Sequence, residues 1–221
     1  LPEKNSIQLS YTTGFNNVTN FHDFKYNPGS AADAFGFGSA SRELRSGVPD
    51  RVDDSNTEQV DRVTKNGFRE DWRVKSRRPL WDQKFNFAIN RKFDRENGDR
   101  FGLVGALNYS NTNKSFLNME NSRYGIYNGD EDTKNYSYKY TDNQYTNDVK
   151  LGAMLNLSYV PAADKRSCVS RYEFRNIFNQ LGRNRFTDRE GWRNVSGYYE
   201  QQQDEYLYVS RSAYTGQFAG S

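Results

Sequence analysis

Apolar and polar residues alternate over several short stretches of this chain. In VKLGAMLNLSY, from Val149 to Tyr159, one set of alternate positions carries Val, Leu, Ala, Leu, Leu and Tyr, and the other carries Lys, Gly, Met, Asn and Ser. Successive side chains of a β-strand point to opposite faces of a sheet, so this period predicts a strand with one apolar face. Pro161 then ends the strand, because proline lacks the N–H that a sheet ladder needs.

The same period predicts further strands along the chain. They cover residues 7–16, 85–93, 101–110, 167–178 and 205–218, and the faces of the last one stay unassigned because both carry rings and polar groups. The sequence DRENGD joins the second and third of these strands, and its Asn97-Gly98 pair supplies the positive φ angles of a tight hairpin. A second short turn, PAADKR, follows Val160.

Long polar segments separate these pairs of strands. They cover residues 17–83, 112–140 and 180–202, and residues 53–66 within the first favour a short helical turn. In an up-and-down sheet, successive connections fall at opposite ends, so all short turns lie at one end and all long loops at the other. Transmembrane β-barrels have this asymmetry, with short periplasmic turns and long extracellular loops.

The strand lengths favour the same fold class. The apolar stretches are about 9 to 11 residues long, which is the length that crosses a bilayer as a tilted strand. A barrel strand faces lipid only at every second residue, which agrees with the mean hydropathy of -1.03. A soluble β-sandwich also alternates and is the alternative, but its strands are more evenly spaced. We therefore predict an all-β, antiparallel, up-and-down transmembrane barrel segment of about six strands.

Composition excludes several other classes. Lys and Arg number 31 and Asp and Glu 28, and the resulting charge of +3 is spread along the chain, which argues against nucleic-acid binding. A single cysteine, Cys168, excludes an internal disulfide, and a single histidine, His22, indicates a solvated side chain. There is no apolar run long enough for a membrane helix and no signal peptide at the start. We interpret residues 1–221 as an internal piece of a longer polypeptide.

Five stretches together resemble a known family. They are LPEKNSIQLSYTTGFNNVTNFHDF, AFGFGSASREL, the hairpin KFNFAINRKF to GDRFGLVGALNYSN, YTNDVKLGAMLNLSYV, and YEFRNIFNQLGRNR. In this order they resemble the barrel region of TonB-dependent receptors, of the SusC-like type common in Bacteroidetes. The resemblance covers most of the chain. It implies that residues 1–221 form the early part of a barrel domain that begins just after the plug.

The resemblance implies a nutrient importer of the outer membrane. Such a receptor binds a glycan or peptide from outside and releases it when the inner-membrane TonB energy complex pulls on the plug. The plug and the remaining strands of a 22-stranded barrel would lie outside residues 1–221. The resemblance also implies contact with outer-membrane lipid and an optional surface lipoprotein partner, with no cofactor.

Three charged residues are expected on one face of a strand. Arg171, Glu173 and Arg175 are two residues apart, so they share a side and lie opposite Tyr172, Phe174 and Phe178. Arginine near the middle of the bilayer costs about 2 to 4 kcal/mol when it faces lipid. We therefore predict that the three form a polar ladder facing the lumen.

Seven aromatic residues in the long segments are candidates for ligand contact. A ring offers a flat apolar face to a sugar or another ligand, but the same rings also suit an interfacial girdle or loop packing, and both roles stay open. Phe93, Phe101 and Tyr159 lie next to the short turns and are better girdle candidates. The seven are Trp72, Trp81, Tyr124, Tyr127, Trp192, Tyr198 and Tyr199.

The sequence carries no recognisable catalytic or metal-binding motif. The acidic residues Asp130, Glu131 and Asp132 lack the spacing of a calcium loop, so a solvated loop is expected there. We predict a transporter and not an enzyme. Two other hypotheses remain: a soluble β-rich carbohydrate-binding module, and an outer-membrane enzyme in which His22 is the base.

Overall fold

Six antiparallel strands form the main sheet of the protein. The computed structural model describes residues 2, 4–38, 42–45, 48–53, 55–67, 72–126, 135–162, 170–194 and 197–220. Its elements in chain order are β1 (Ser6–Gly14), β2 (Phe24–Tyr26), a short 3-10 helix (Ala31–Phe35), α1 (Thr57–Asn66), β3 (Lys75–Arg77), β4 (Asp82–Asp94), β5 (Arg100–Tyr124), β6 (Tyr136–Val160), β7 (Tyr172–Asn194) and β8 (Tyr198–Gly220). The predicted all-β class is confirmed.

The main sheet is open and its strands follow one another in the order β1, β4, β5, β6, β7, β8. Each neighbouring pair is antiparallel, so the six strands form an up-and-down meander with β1 and β8 at its edges. All six predicted strands overlap strands of this sheet. β7 begins at Tyr172, and the earlier part of the strand predicted from Ser167 lies partly outside the described residues.

The turn between β4 and β5 is a short hairpin, as predicted. The N–H of Arg95 donates to the carbonyl of Asp99 at 2.9 Å, and Gly98 has a φ of +83°. The expected positive φ at Asn97 is wrong: the Asn97 side chain instead accepts a hydrogen bond from the N–H of Asp99 at 3.0 Å. One glycine therefore closes the turn, and the asparagine stabilises it through its amide.

The predicted long loops at 112–140 and 180–202 are wrong. β5 and β6 each have 25 residues and leave residues 125–135 between them, whereas β7 and β8 each have 23 and leave only residues 195–197. The hydrogen bonds of a ladder come from the backbone, so polar side chains on both faces do not end a strand. The predicted strand length of 9 to 11 residues is likewise wrong for these four strands.

The described part of residues 15–81, between β1 and β4, is called the cover segment here, and its β2 strand and 3-10 helix lie against one face of the main sheet. The segment contains the two-stranded β2–β3 ribbon, the 3-10 helix and α1, and the last confirms the helix expected within residues 53–66. The Asn56 side chain caps α1 by accepting a hydrogen bond from the N–H of Gln59 at 3.0 Å. The prediction of a long, mostly irregular connection is correct for this segment.

Aromatic packing fixes the cover segment to the sheet. Phe24 of β2 is 1% exposed and packs edge-on against Tyr145 of β6, with ring centroids 5.5 Å apart. Phe186 of β7 is equally buried beside Tyr145, and Tyr206 of β8 completes the group. The main hydrophobic core of the described residues is therefore a contact between the cover segment and β6, β7 and β8.

Polar contacts hold the same interface. Buried Gln180 donates to the carbonyl of Gly36 at 2.6 Å, and the Tyr208 hydroxyl donates to the carbonyl of Phe37 at 3.0 Å. Lys25 pairs with Asp188 at 2.7 Å, and the hydrogen bond from this carboxylate raises the pKa of Lys25. The cover segment is thus bonded to the sheet at many points.

Candidate functional site

An apolar band crosses all six strands of the main sheet on one face, at the end of the β4–β5 turn. Directly paired residues of neighbouring strands lie on the same face. Many of these side chains face solvent: Leu9 is 66% exposed, Leu155 45% and Phe218 72%. The apolar band consists of Ile7, Leu9, Tyr11, Phe85, Phe87, Ile89, Phe93, Phe101, Leu103, Leu107, Tyr109, Leu151, Ala153, Leu155, Leu157, Tyr159, Tyr172, Phe174, Phe178, Tyr214 and Phe218.

A row of rings borders the apolar band beside the short turns. Phe93, Phe101, Tyr159 and Tyr172 lie directly opposite one another on β4, β5, β6 and β7. Phe101 and Tyr159 stack with ring centroids 4.7 Å apart, and Phe218 of β8 extends the row beside Tyr172 at 6.4 Å. The three predicted girdle residues therefore share one row. The sequence did not single out Tyr172 and Phe218 for this row, although Tyr172 was already expected on this face.

A second set of rings borders the apolar band on its other side. Tyr11, Phe85 and Tyr109 lie directly opposite one another on β1, β4 and β5. On β5, the stretch from Phe101 to Tyr109 has nine residues, within the roughly 9 to 11 that a tilted strand needs to cross a bilayer. The apolar part of each long strand is thus much shorter than the strand itself.

Two polar residues interrupt the apolar band. Arg91 is paired with Leu103 and lies two residues from Phe93 in the row of rings. A long arginine side chain near the border of an apolar surface can extend its charged group to the polar side. Asn176 lies nearer the middle, and its side chain accepts a hydrogen bond from the Tyr214 hydroxyl at 2.6 Å and donates to the carbonyl of Leu155 at 3.2 Å. Both the oxygen and the NH₂ of the Asn176 side chain therefore have a hydrogen-bond partner.

The opposite face of the same region is polar. Arg171, Glu173 and Arg175 lie together there, and Glu173 forms ion pairs with both arginines. The Glu173 side chain is 13% exposed, whereas those of Arg171 and Arg175 are 43% and 51% exposed. Asn156 and Ser158 of β6 line the same open cleft. The structure therefore brings the predicted ladder together on one face, and its orientation toward a lumen stays a prediction.

Beyond the apolar band, the strand extensions carry cross-strand ion pairs. Arg189 binds the carboxylate of Asp142 through two hydrogen bonds of 2.7 Å, and this contact lowers the pKa of Asp142. Arg183 binds Asp148 in the same manner, at 2.6 and 3.1 Å, and the pKa of Arg183 is raised. These ion pairs join β6 to β7 beyond the apolar band.

Three of the seven aromatic candidates meet at the tips of the β5–β6 and β7–β8 hairpins. Tyr124 stacks on Tyr136 with centroids 4.8 Å apart, Trp192 meets Tyr136 edge-on at 6.2 Å, and Tyr198 lies 5.6 Å from Trp192. We call Tyr124, Tyr136, Trp192 and Tyr198 the tip cluster. Sequence reasoning did not single out Tyr136, because its contact with Tyr124 arises only from the pairing of β5 with β6.

The other candidates lie apart from the tip cluster. Trp72 packs on Tyr206, and its carbonyl accepts a hydrogen bond from that hydroxyl, so it belongs to the cover-segment interface. Trp81 packs edge-on against Phe21, just before β4. Tyr199 is 62% exposed and has no ring partner within the described part of the chain. Tyr127 lies outside the described residues.

The described residues offer few groups for catalysis or metal binding. The His22 side chain is exposed and has no side-chain hydrogen bond among the described residues. No cluster of three or more His, Cys, Asp or Glu residues able to hold a metal occurs in the part of the chain that the structure describes. Asp130, Glu131, Asp132 and Cys168 lie outside it. The described helices include none that is long and apolar enough to span a bilayer.

Comparison with known proteins adds no identification. No family model, curated protein or solved structure matches the chain significantly.

Proposed function

We propose that this chain is part of the barrel of an outer-membrane active-transport receptor for a nutrient, of the TonB-dependent type. One observation carries the proposal: an apolar band with many exposed side chains, nine residues deep on β5 and bordered by rings on both sides, lies opposite a polar face. A lipid-facing barrel wall requires this combination, since lipid solvates one face and water or a plug contacts the other.

The two ends of the sheet have different roles in this proposal. The turn at residues 95–99 faces the periplasm, and the strand extensions beyond the apolar band rise from the outer surface. The Arg171, Glu173 and Arg175 ladder faces the lumen, where its two ion pairs reduce the cost of the charges. Energy reaches the barrel from the inner-membrane TonB complex through the plug, and a surface lipoprotein assists at the outer side.

The tip cluster is the proposed contact site for the nutrient, which is a glycan or a peptide. Tyr124 and Tyr198 are about three-fifths exposed, so their rings present apolar surface beside hydroxyl groups. Rings of this kind suit the apolar face of a sugar or a peptide side chain. The protein then acts as a transporter and has no enzymatic activity.

Growth of a deletion strain tests the transport proposal. A strain that lacks the gene is grown on a panel of glycans and peptides as sole carbon sources, beside its parent and a strain with an inactivated energy complex. The proposal expects the deletion and the inactivated complex to abolish growth on the same nutrient. Normal growth of the deletion strain on every nutrient that requires the energy complex would contradict it.

A soluble carbohydrate-binding module is the second candidate. The cover segment favours it, because this segment already buries part of the same sheet face with Phe24, Tyr145 and Phe186. In a soluble module, another layer would cover the apolar band in the same way. Cell fractionation separates the two candidates: the module is recovered in the soluble fraction, and the receptor with outer membranes.

A further inference from the structure

A small cleft lies beside the upper border of the apolar band, on the same face of the sheet. Its volume is about 250 Å³, smaller than the roughly 300 to 1,000 Å³ of typical small-molecule sites. Gln83 and Asn111, which are directly paired, lie one row above the position where Phe85 and Tyr109 border the band. The cleft, called the Arg77 cleft here, is lined by Arg77, Arg78, Pro79, Leu80, Trp81, Gln83, Asn111 and Asn113.

Among the described residues, the guanidinium group of Arg77 has no acidic partner. It donates to the side-chain oxygen of Asn113 at 2.9 Å and lies over the rings of Tyr26 and Phe24, at 5.1 and 5.5 Å from their centroids. No carboxylate pairs with it within the described part of the chain, and the surrounding atoms lower the pKa of Arg77. Arg77 is exposed overall, so an anionic ligand can reach its guanidinium group and form a charge-assisted hydrogen bond with it.

Arg78 adds a second available cation to the cleft. Its closest ion-pair contact is Asp23 at 3.4 Å, and both side chains are about three-quarters exposed. Such surface pairs contribute little, so Arg78 exchanges Asp23 for a better anion at small cost. Asp82 is the other carboxylate nearby, and it accepts a hydrogen bond from the N–H of Asn113 at 2.9 Å.

The remaining wall of the cleft suits a sugar. Trp81 is 44% exposed and its indole lines the cleft. The Gln83 amide makes no hydrogen bond within the described part of the chain and also lines the cleft. The side-chain oxygen of Asn111 already accepts a hydrogen bond from Asn147 at 2.7 Å, which leaves its NH₂ group to donate. A ring face, amide donors and two guanidinium groups in one small space match the chemistry of a phosphorylated sugar.

We propose that the Arg77 cleft binds the phosphorylated sugar headgroup of an outer-leaflet glycolipid. Arg77 and Arg78 bind a phosphate oxygen each, Trp81 packs on the sugar ring, and Gln83 and Asn111 donate to sugar oxygens. We infer a lipid and not a free sugar phosphate because the cleft adjoins the apolar band. The acyl chains of a lipid whose headgroup lies in the cleft would run directly along this band. This inference rests on the proposed membrane location of the band.

Lipid binding by the purified protein tests the proposal. The protein in non-ionic detergent micelles is titrated with a synthetic diglucosamine lipid carrying two phosphates, and separately with its dephosphorylated counterpart. Arg78→Gln is compared with Arg51→Gln, an exposed arginine elsewhere in the cover segment. We expect Arg78→Gln to weaken binding of the phosphorylated lipid about fivefold, the usual effect of one cation near a charged surface, and Arg51→Gln to leave it unchanged.

Three results would overturn the inference. The first is equal binding of the two lipids by the unchanged protein. The second is an equal effect of Arg78→Gln and Arg51→Gln. The third is displacement of the lipid by free glucosamine phosphate at similar concentration, which would make a soluble sugar phosphate the ligand. Insertion of the same proteins into phosphatidylcholine vesicles is measured in parallel. Failure of the unchanged protein to insert would contradict the membrane location of the apolar band. Normal insertion without preference for the phosphorylated headgroup would contradict only lipid binding by the Arg77 cleft.

Discussion

Gly36 of the cover segment and Gly182 of β7 meet backbone against backbone. A Cβ atom on Gly36 would lie 2.8 Å from the amide nitrogen of Gly182, and a Cβ atom on Gly182 would overlap the backbone of Gly36. Gly36 also has a φ of +82°, which favours glycine. The cover segment can therefore lie against the sheet only because both positions lack a side chain.

Replacement of Gly182 by alanine is expected to loosen the cover segment. The added methyl group separates the two backbones and weakens the 2.6 Å hydrogen bond from Gln180 to Gly36. We expect a loss of about 1 to 3 kcal/mol in the free energy of unfolding, as for other overpacked sites, together with faster proteolysis within residues 15–81. Gly38→Ala is the control, because its new Cβ would make only ordinary contacts at 3.7 Å. Equal stability of the two variants would contradict this close approach.

The Asp142–Arg189 pair is expected to make stability depend on pH. The pKa of Asp142 is lowered in the folded protein, so the unfolded chain binds a proton more readily and the pair contributes stability above the ordinary aspartate pKa of about 3.9. That contribution disappears as the pH falls from this value through the lowered pKa. The difference in melting temperature between the unchanged protein and Asp142→Asn should therefore be present at pH 7 and shrink below pH 4.

The matched control for this titration is Asp61→Asn. Asp61 also pairs with a cation, Lys65, but both side chains are more than half exposed, so its replacement should change the melting temperature little at any pH. A pH-independent effect of Asp142→Asn would show that the ion pair is not its source.

The tip cluster predicts a selective loss of nutrient uptake. Trp192 contacts both Tyr136 and Tyr198, so Trp192→Ala removes the central ring of the cluster. With the nutrient identified by the growth panel, we expect uptake at low concentration to fall about tenfold, because an aromatic contact contributes about 0.5 to 1.5 kcal/mol beyond the burial of its surface. Tyr199→Ala is the control, since this exposed ring lies outside the cluster. Loss of uptake in both variants alike would remove the tip cluster as the contact site.

The alternating pattern predicted the sheet well where its two faces meet different surroundings. Leu151, Leu155 and Leu157 share a face opposite Met154 and Asn156, and the apolar face continues in register across all six strands. The pattern failed above the apolar band. There, Asp142, Arg189 and Tyr140 form contacts between strands, and no hydrophobic contrast marks the strand. Sequence reasoning therefore took ordered extensions for loops.

The contacts of the candidate aromatic residues could also be predicted only in part from the sequence. Trp192 and Tyr198 are close in the chain, so their contact could be expected, but Tyr124 and Tyr136 join them only through the pairing of β5 with β6 and of β6 with β7. Arg77 was not singled out, because its missing carboxylate partner is a property of the folded chain. Both the tip cluster and the Arg77 cleft are therefore formed by contacts between segments that are distant in the sequence.

Spin-label accessibility across the apolar band tests the central claim most directly. Nitroxide labels are placed singly at Met154, Leu155, Asn156 and Leu157, with Cys168 replaced by serine, and the protein is reconstituted in lipid vesicles. We predict that labels at 155 and 157 collide with lipid-soluble oxygen, whereas labels at 154 and 156 do so much less and are reached more readily by a water-soluble nickel complex. Labels at 155 and 157 that are shielded from oxygen, or reached mainly by the nickel complex, would contradict a lipid-facing band.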